Sequence, residues 1–153
     1  MNTPRQLVLD LLRPAAPTLE NFVVGRNAEL LATLRGVVAG AGERIVYLWG
    51  EHGSGRSHLL RALAAAAGAH EWRADTPTEQ AGVSLVDDVE RLDAAAQVAL
   101  FSRLNAVRAS PRAACVVAGG APPAHLPLRE DLRTRLGWGL VYQVQPLSDD
   151  EKA

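Results

Sequence analysis

At 153 residues with a formal net charge of −1, the chain is one domain in length and carries no broad basic face, which excludes extended electrostatic tracking along nucleic acid. Its 48% hydrophobic content includes only 5% aromatics, so the core is expected to be aliphatic and the helices rich in alanine. A single cysteine, Cys115, excludes a disulfide framework and points to a reducing, cytoplasmic setting. No apolar run approaches the ~20 residues of a membrane span, and no basic-then-apolar leader opens the chain.

Residues 1–17 read as a peptide and linker ahead of a domain spanning 18–153. Gln6-Leu7-Val8-Leu9-Asp10-Leu11-Leu12 alternates apolar residues in the manner of an extended segment, and Pro14 and Pro17 separate it from the domain. Such a peptide suits either a partner's groove or the edge of its own domain, and the residues alone leave both open. Asn27 precedes a helical face of Leu30, Leu31, Leu34, Val37 and Val38, closed by Gly40-Ala41-Gly42. Strands are expected at 44–49, 69–73, 83–86, 113–118 and 140–144. Helices are expected from the loop after Trp49 to Ala67, after a cap at Asp93, and over 128–136. Alternating strands and helices predict an α/β fold with a five-stranded parallel sheet between helices.

Gly50-Glu51-His52-Gly53-Ser54-Gly55-Arg56-Ser57 matches the phosphate-loop pattern G-x-x-x-x-G-K-[ST], with arginine in place of lysine, between an apolar strand and a helix. A glycine-rich turn that binds nothing would look the same in isolation. A second signature favours nucleotide: Val83-Ser84-Leu85-Val86 is an apolar strand ending in Asp87-Asp88. A carboxylate at that strand tip suits Mg²⁺, with Asp87 acting through water and Ser57 Oγ as a direct ligand, while Asp88 would orient or deprotonate water. Paired acids that merely cap a turn would leave the match with Ser57 unexplained. Arginine neutralises a diphosphate and grips it in bidentate fashion, but it is not a conservative replacement for lysine. Nucleotide binding should therefore survive, with ADP favoured and hydrolysis weak.

Arg135, in Leu132-Arg133-Thr134-Arg135-Leu136, is either a solvated helix arginine or one aimed at a neighbour's phosphate. His52, His58, His70 and His125 show no zinc spacing, Ser54 lacks a recognisable base, and Trp49, Trp72 and Trp138 read as packing residues.

Together these pieces resemble AAA+ ATPases of the bacterial replication-initiator type (DnaA and its relatives), and within them the shorter Hda-type regulatory inactivators. The resembling segments are Asn21-Phe22-Val23-Val24-Gly25, Tyr47-Leu48-Trp49 running into Gly53-Ser54-Gly55-Arg56-Ser57-His58-Leu59-Leu60, Asp87-Asp88, Pro122-Pro123, Arg135-Leu136-Gly137-Trp138-Gly139 and Gln145-Pro146-Leu147-Ser148-Asp149-Asp150-Glu151-Lys152. The resemblance implies a P-loop AAA+ base subdomain with its helical lid absent. It places ADP or ATP against Val24, Gly25, Gly50, His52, Gly53, Ser54, Gly55, Arg56, Ser57 and His58, with Mg²⁺ at Ser57 and Asp87. It makes Asp88 and Arg135 the catalytic candidates, Arg135 as a finger acting in trans on the initiator. The N-terminal peptide becomes a motif for the DNA polymerase sliding clamp, through Gln6, Leu7, Leu9, Leu11 and Leu12. The implied function is negative regulation of replication initiation, with homo-oligomers a further possibility. Gly119-Gly120-Ala121, at a strand tip where many AAA+ proteins carry a polar sensor, offers no side chain to position water. A self-sufficient AAA+ ATPase or initiator fragment, and a scaffold without nucleotide, are the competing functions.

Overall fold

The computed structural model describes residues 28–40, 42–51 and 55–144. Helix α1 (Ala28–Val38) buries Leu30, Leu34 and Val37, a spacing that puts all three on one face. Strand β1 (Ile45–Trp49) starts one residue later than expected; the Arg44 carbonyl just before it accepts from Cys115 N at 2.8 Å, and the Arg44 guanidinium donates to the Val107 and Arg108 carbonyls. Helix α2 (Arg56–Ala67) ends at Gly68 in the left-handed region (φ 62°). Strand β2 (His70–Glu71) is shorter than expected, and β3 (Gly82–Val86) gains Gly82, whose φ of 94° suits glycine.

A 3₁₀ turn, Val89–Arg91, leads to α3 (Ala94–Ala109), where Asp93 caps as expected by accepting from Ala96 N at 2.8 Å. Strand β4 (Ala113–Gly119) is buried along its whole length. The 3₁₀ turn Pro123–His125, helix α4 (Glu130–Leu136) and strand β5 (Leu140–Gln143) complete the described elements. No described helix is long and apolar enough to cross a membrane.

The strands form one parallel sheet in the order β2-β3-β4-β1-β5. Side chains alternate across a strand, so β1 serves two cores. Val46 and Leu48 face α1 and α2 with Leu34, Leu59, Leu63, Val116 and Ala118. Ile45 and Tyr47 face the opposite layer of α3 and α4, with Leu100, Leu104, Cys115, Val117, Leu132 and Leu136. Each fully buried leucine contributes about 1.5–3 kcal/mol relative to exposure. Val98 on α3 is exposed.

Arg103 is the buried charge among the described residues, 1% exposed on α3. Its Nη1 donates to the Thr78 and Gln80 carbonyls at 2.9 and 2.6 Å, and its Nη2 to Ser84 Oγ at 2.7 Å. These bonds fix the polar loop before β3 and so the strand that carries the acid pair. Burial lowers the Arg103 pKa, and it pushes the neighbouring Cys115 thiol up to about 12.

Candidate functional site

Parallel pairing brings the carboxyl ends of β1, β3 and β4 to one edge of the sheet, where open α/β sheets bind ligands. Gly50 follows β1 and donates its N–H to Gly119 O at 3.3 Å, so the start of the phosphate loop abuts the tip of β4. Gly55 ends the loop at φ 100°, ψ 3°, a conformation that favours glycine, and α2 begins at the next residue. The first turn of α2 carries no acid, leaving its positive dipole end uncompensated from within the helix.

Asp87 and Asp88 leave the tip of β3, one strand beyond β4. Asp88 has φ 49° and ψ 51°, the one positive-φ non-glycine among the described residues, at a cost of about 1–2 kcal/mol. The bend is held locally by Asp88 N donating to Asp87 Oδ1 at 2.8 Å. Across the edge, the Arg56 guanidinium meets both acids: Nε is 3.2 Å from Asp87 Oδ1 and Nη2 is 2.7 Å from Asp88 Oδ1. Its Nη1 donates to the Gly50 carbonyl at 3.2 Å, and the side chain is 13% exposed. Ser57 Oγ donates to Asp87 Oδ2 at 3.4 Å. The arginine that replaces the pattern's lysine thus reaches the acid pair and engages all three of its nitrogens.

Gly119-Gly120-Ala121 brings no polar side chain of its own to the tip of β4, but a carboxylate from elsewhere in the chain reaches it. Glu90, carried round by the turn at Asp88, accepts from Gly120 N through Oε2 at 3.1 Å. A Cβ at Gly119 would collide with the Tyr47 hydroxyl, and one at Gly120 would lie 2.9 Å from Glu90 Oε2 and 3.9 Å from Arg56 Nη1. The glycine pair makes room for Glu90 and Tyr47. Tyr47 donates to Ala121 O at 2.6 Å; burial first and Glu90 second raise its pKa, with Arg56 opposing. Asp87 and Asp88 thus share one guanidinium, and Glu90 stands at the neighbouring strand tip.

Arg135 belongs to a separate patch on α3 and α4. Its Nε donates to Asn105 Oδ1 at 2.8 Å, and its guanidinium lies 3.5 Å over the Trp138 ring and 4.8 Å from the Phe101 centroid. Arg108 covers Trp138 as well, at 4.2 Å. Trp138, read from sequence as a packing residue, is 43% exposed and serves as a platform for two arginines. Arg135 Nη1 and Nη2 make no hydrogen bond among the described residues.

Of the sequence candidates, Gly50, Gly55, Arg56, Ser57, Asp87 and Asp88 come together, with His58 in the first turn of α2. Arg135 does not join them. Val24, Gly25, His52, Gly53 and Ser54 lie outside the described residues, as does the peptide of Gln6, Leu7, Leu9, Leu11 and Leu12. Sequence reasoning missed Glu90, Tyr47 and Asn105. The charge of Glu90 two residues past the acid pair was the one available signal for it, but its direction depends on the left-handed turn at Asp88.

No family model matches the chain. Among solved structures, a protein of Neisseria meningitidis, NMB1076, is 37% identical over 78% of this chain and 85% of its own, with a TM-score of 0.54. The chain belongs to that protein's family. Domain III of the Thermotoga maritima replication initiation protein DnaA superposes with a TM-score of 0.75 at 21% identity, over 92% of this chain and 71% of that one. AMPPCP-bound DnaA from Aquifex aeolicus gives 0.74 at 21% identity, over 94% of this chain and 53% of its own. The chain thus spans about half the length of that initiator. Its fold is the α/β fold of DnaA-like AAA+ P-loop proteins.

Proposed function

We propose that this protein is a nucleotide-holding AAA+ adaptor that restrains DNA replication initiation by promoting ATP hydrolysis in a DnaA-type initiator. The observation that carries the reading is Arg56 bonded to both Asp87 and Asp88. A pocket that hydrolyses its own nucleotide needs those acids for metal and water. With both on a guanidinium, and with the Glu90 carboxyl group at the strand tip, the pocket is suited to hold ADP and poorly suited to consume ATP.

Arg135 supplies the chemistry elsewhere. Stacked on Trp138 and Phe101 and tied through Nε to Asn105, its guanidinium is held ready, with Nη1 and Nη2 making no hydrogen bond among the described residues. A fork held this way loses little freedom on meeting a γ-phosphate, which is what a finger acting in trans requires. The N-terminal peptide, with Gln6 at the groove and Leu9, Leu11 and Leu12 in its apolar pocket, tethers the adaptor to the sliding clamp on DNA.

ATP turnover by purified DnaA, with clamp, DNA and this protein added singly and together, tests the proposal. The protein alone should show little turnover, and the complete mixture should accelerate that of DnaA. Brisk turnover by the protein alone, abolished by Asp88→Asn, would replace the adaptor with a self-sufficient ATPase. Gln6→Ala/Leu9→Ala should lose retention on immobilised clamp; equal retention would reject the peptide's assignment.

A further inference from the structure

A divalent cation in a phosphate-loop pocket lies among an acid at a strand tip, a hydroxyl at the start of the helix, and the phosphates. Asp87 and Ser57 stand at those two places, 3.4 Å apart. The donor set is nevertheless committed. Asp87 Oδ1 and Asp88 Oδ1 face Arg56 Nε and Nη2 at 3.2 and 2.7 Å, and Asp87 Oδ2 accepts from Ser57. A dication on Asp87 would stand beside a guanidinium that is 13% exposed, and like charges so close repel even through a high effective dielectric. The residues present do not fit Mg²⁺ while Arg56 lies there.

We propose that Arg56 takes the cation's place, so that the site binds a nucleoside diphosphate without a divalent metal. The proposal rests on the nucleotide-holding function proposed for the same site. Arginine suits this role through its rigid planar fork of five donors: Nε and Nη2 stay on the acids, Nη1 keeps one N–H on the Gly50 carbonyl, and its second N–H serves a phosphate oxygen. One delocalised charge then bridges carboxylates and phosphate, as the metal does in a lysine-bearing loop. Lysine has its donors on a single atom and cannot span both acids and a phosphate. The alternative, in which Arg56 abandons the acids to a metal, gives up both ion pairs and brings a dication beside the displaced guanidinium.

The test is ADP affinity of the full chain, by titration calorimetry, with excess Mg²⁺ and with EDTA. The wild type should bind with dissociation constants within about threefold of each other, whereas Arg56→Lys should bind at least about tenfold more tightly with Mg²⁺. Wild-type affinity rising about tenfold or more with Mg²⁺ overturns the proposal and leaves the nucleotide reading intact. Binding by Arg56→Lys that ignores Mg²⁺ also overturns it, because the loop and not Arg56 would then be responsible. No ADP binding under either condition overturns the nucleotide reading itself. Circular dichroism of the variant distinguishes lost folding from lost binding.

Discussion

Arg135 and Trp138 show how one side chain's readiness depends on another's. An exposed cation–π contact is worth about 0.5–1 kcal/mol, too little to matter for stability but enough to bias a surface arginine toward one rotamer. Trp138→Ala should therefore leave folding nearly unchanged while lowering stimulated hydrolysis about tenfold, mainly in kcat, since a misplaced fork costs orientation and not affinity. Trp138→Phe should recover most of the loss. Steady-state turnover of the initiator against adaptor concentration separates the two parameters. At Gly119 the demand is steric: Gly119→Ala drives a methyl into the Tyr47 hydroxyl and should cost about 1–3 kcal/mol in denaturant unfolding.

At the scale of elements, strands and helices were readable from continuous apolar runs, caps and helical spacing bounded by glycine and proline. The continuous apolar run of β1 and the capped run after Asp93 gave types and near-correct bounds. The phosphate loop and acid pair were readable because each is local in sequence. The Arg56 pairing was not, since it depends on β4 lying between β1 and β3 and on the left-handed Asp88. Nor was Arg103, a charge inside an apolar helix pattern that reads as solvated until its loop acceptors are seen. Arg103→Leu strips the Thr78 and Gln80 carbonyls and the Ser84 hydroxyl of their donor, and should cost about 3 kcal/mol. Asp93→Ala removes one cap bond and should cost about 1 kcal/mol. Urea unfolding of both variants checks the order.

For the whole molecule, two buried acids set the alkaline limit. The fold raises Cys115 from 9.0 to about 12 and raises Tyr47 above its ordinary 10.0, so the native state favours both neutral forms. Their stabilisation is complete below the ordinary values and is lost as pH climbs through the folded ones, because the unfolded chain releases those protons first. Cys115 alone accounts for as much as about 4 kcal/mol of that loss. Urea midpoints should hold steady to about pH 9 and then fall, and Cys115→Ala should flatten the early part of the decline.

The proposed function separates holding a nucleotide, at the carboxyl edge of the sheet, from presenting an arginine on α3 and α4. Single-turnover hydrolysis of ATP preloaded on DnaA, with clamp and DNA present, tests that division of labour most directly when ADP-loaded wild type is compared with Arg135→Ala. Wild type should accelerate hydrolysis about 10³-fold or more, and Arg135→Ala almost not at all at equal clamp retention. Equal acceleration by both proteins would contradict the division.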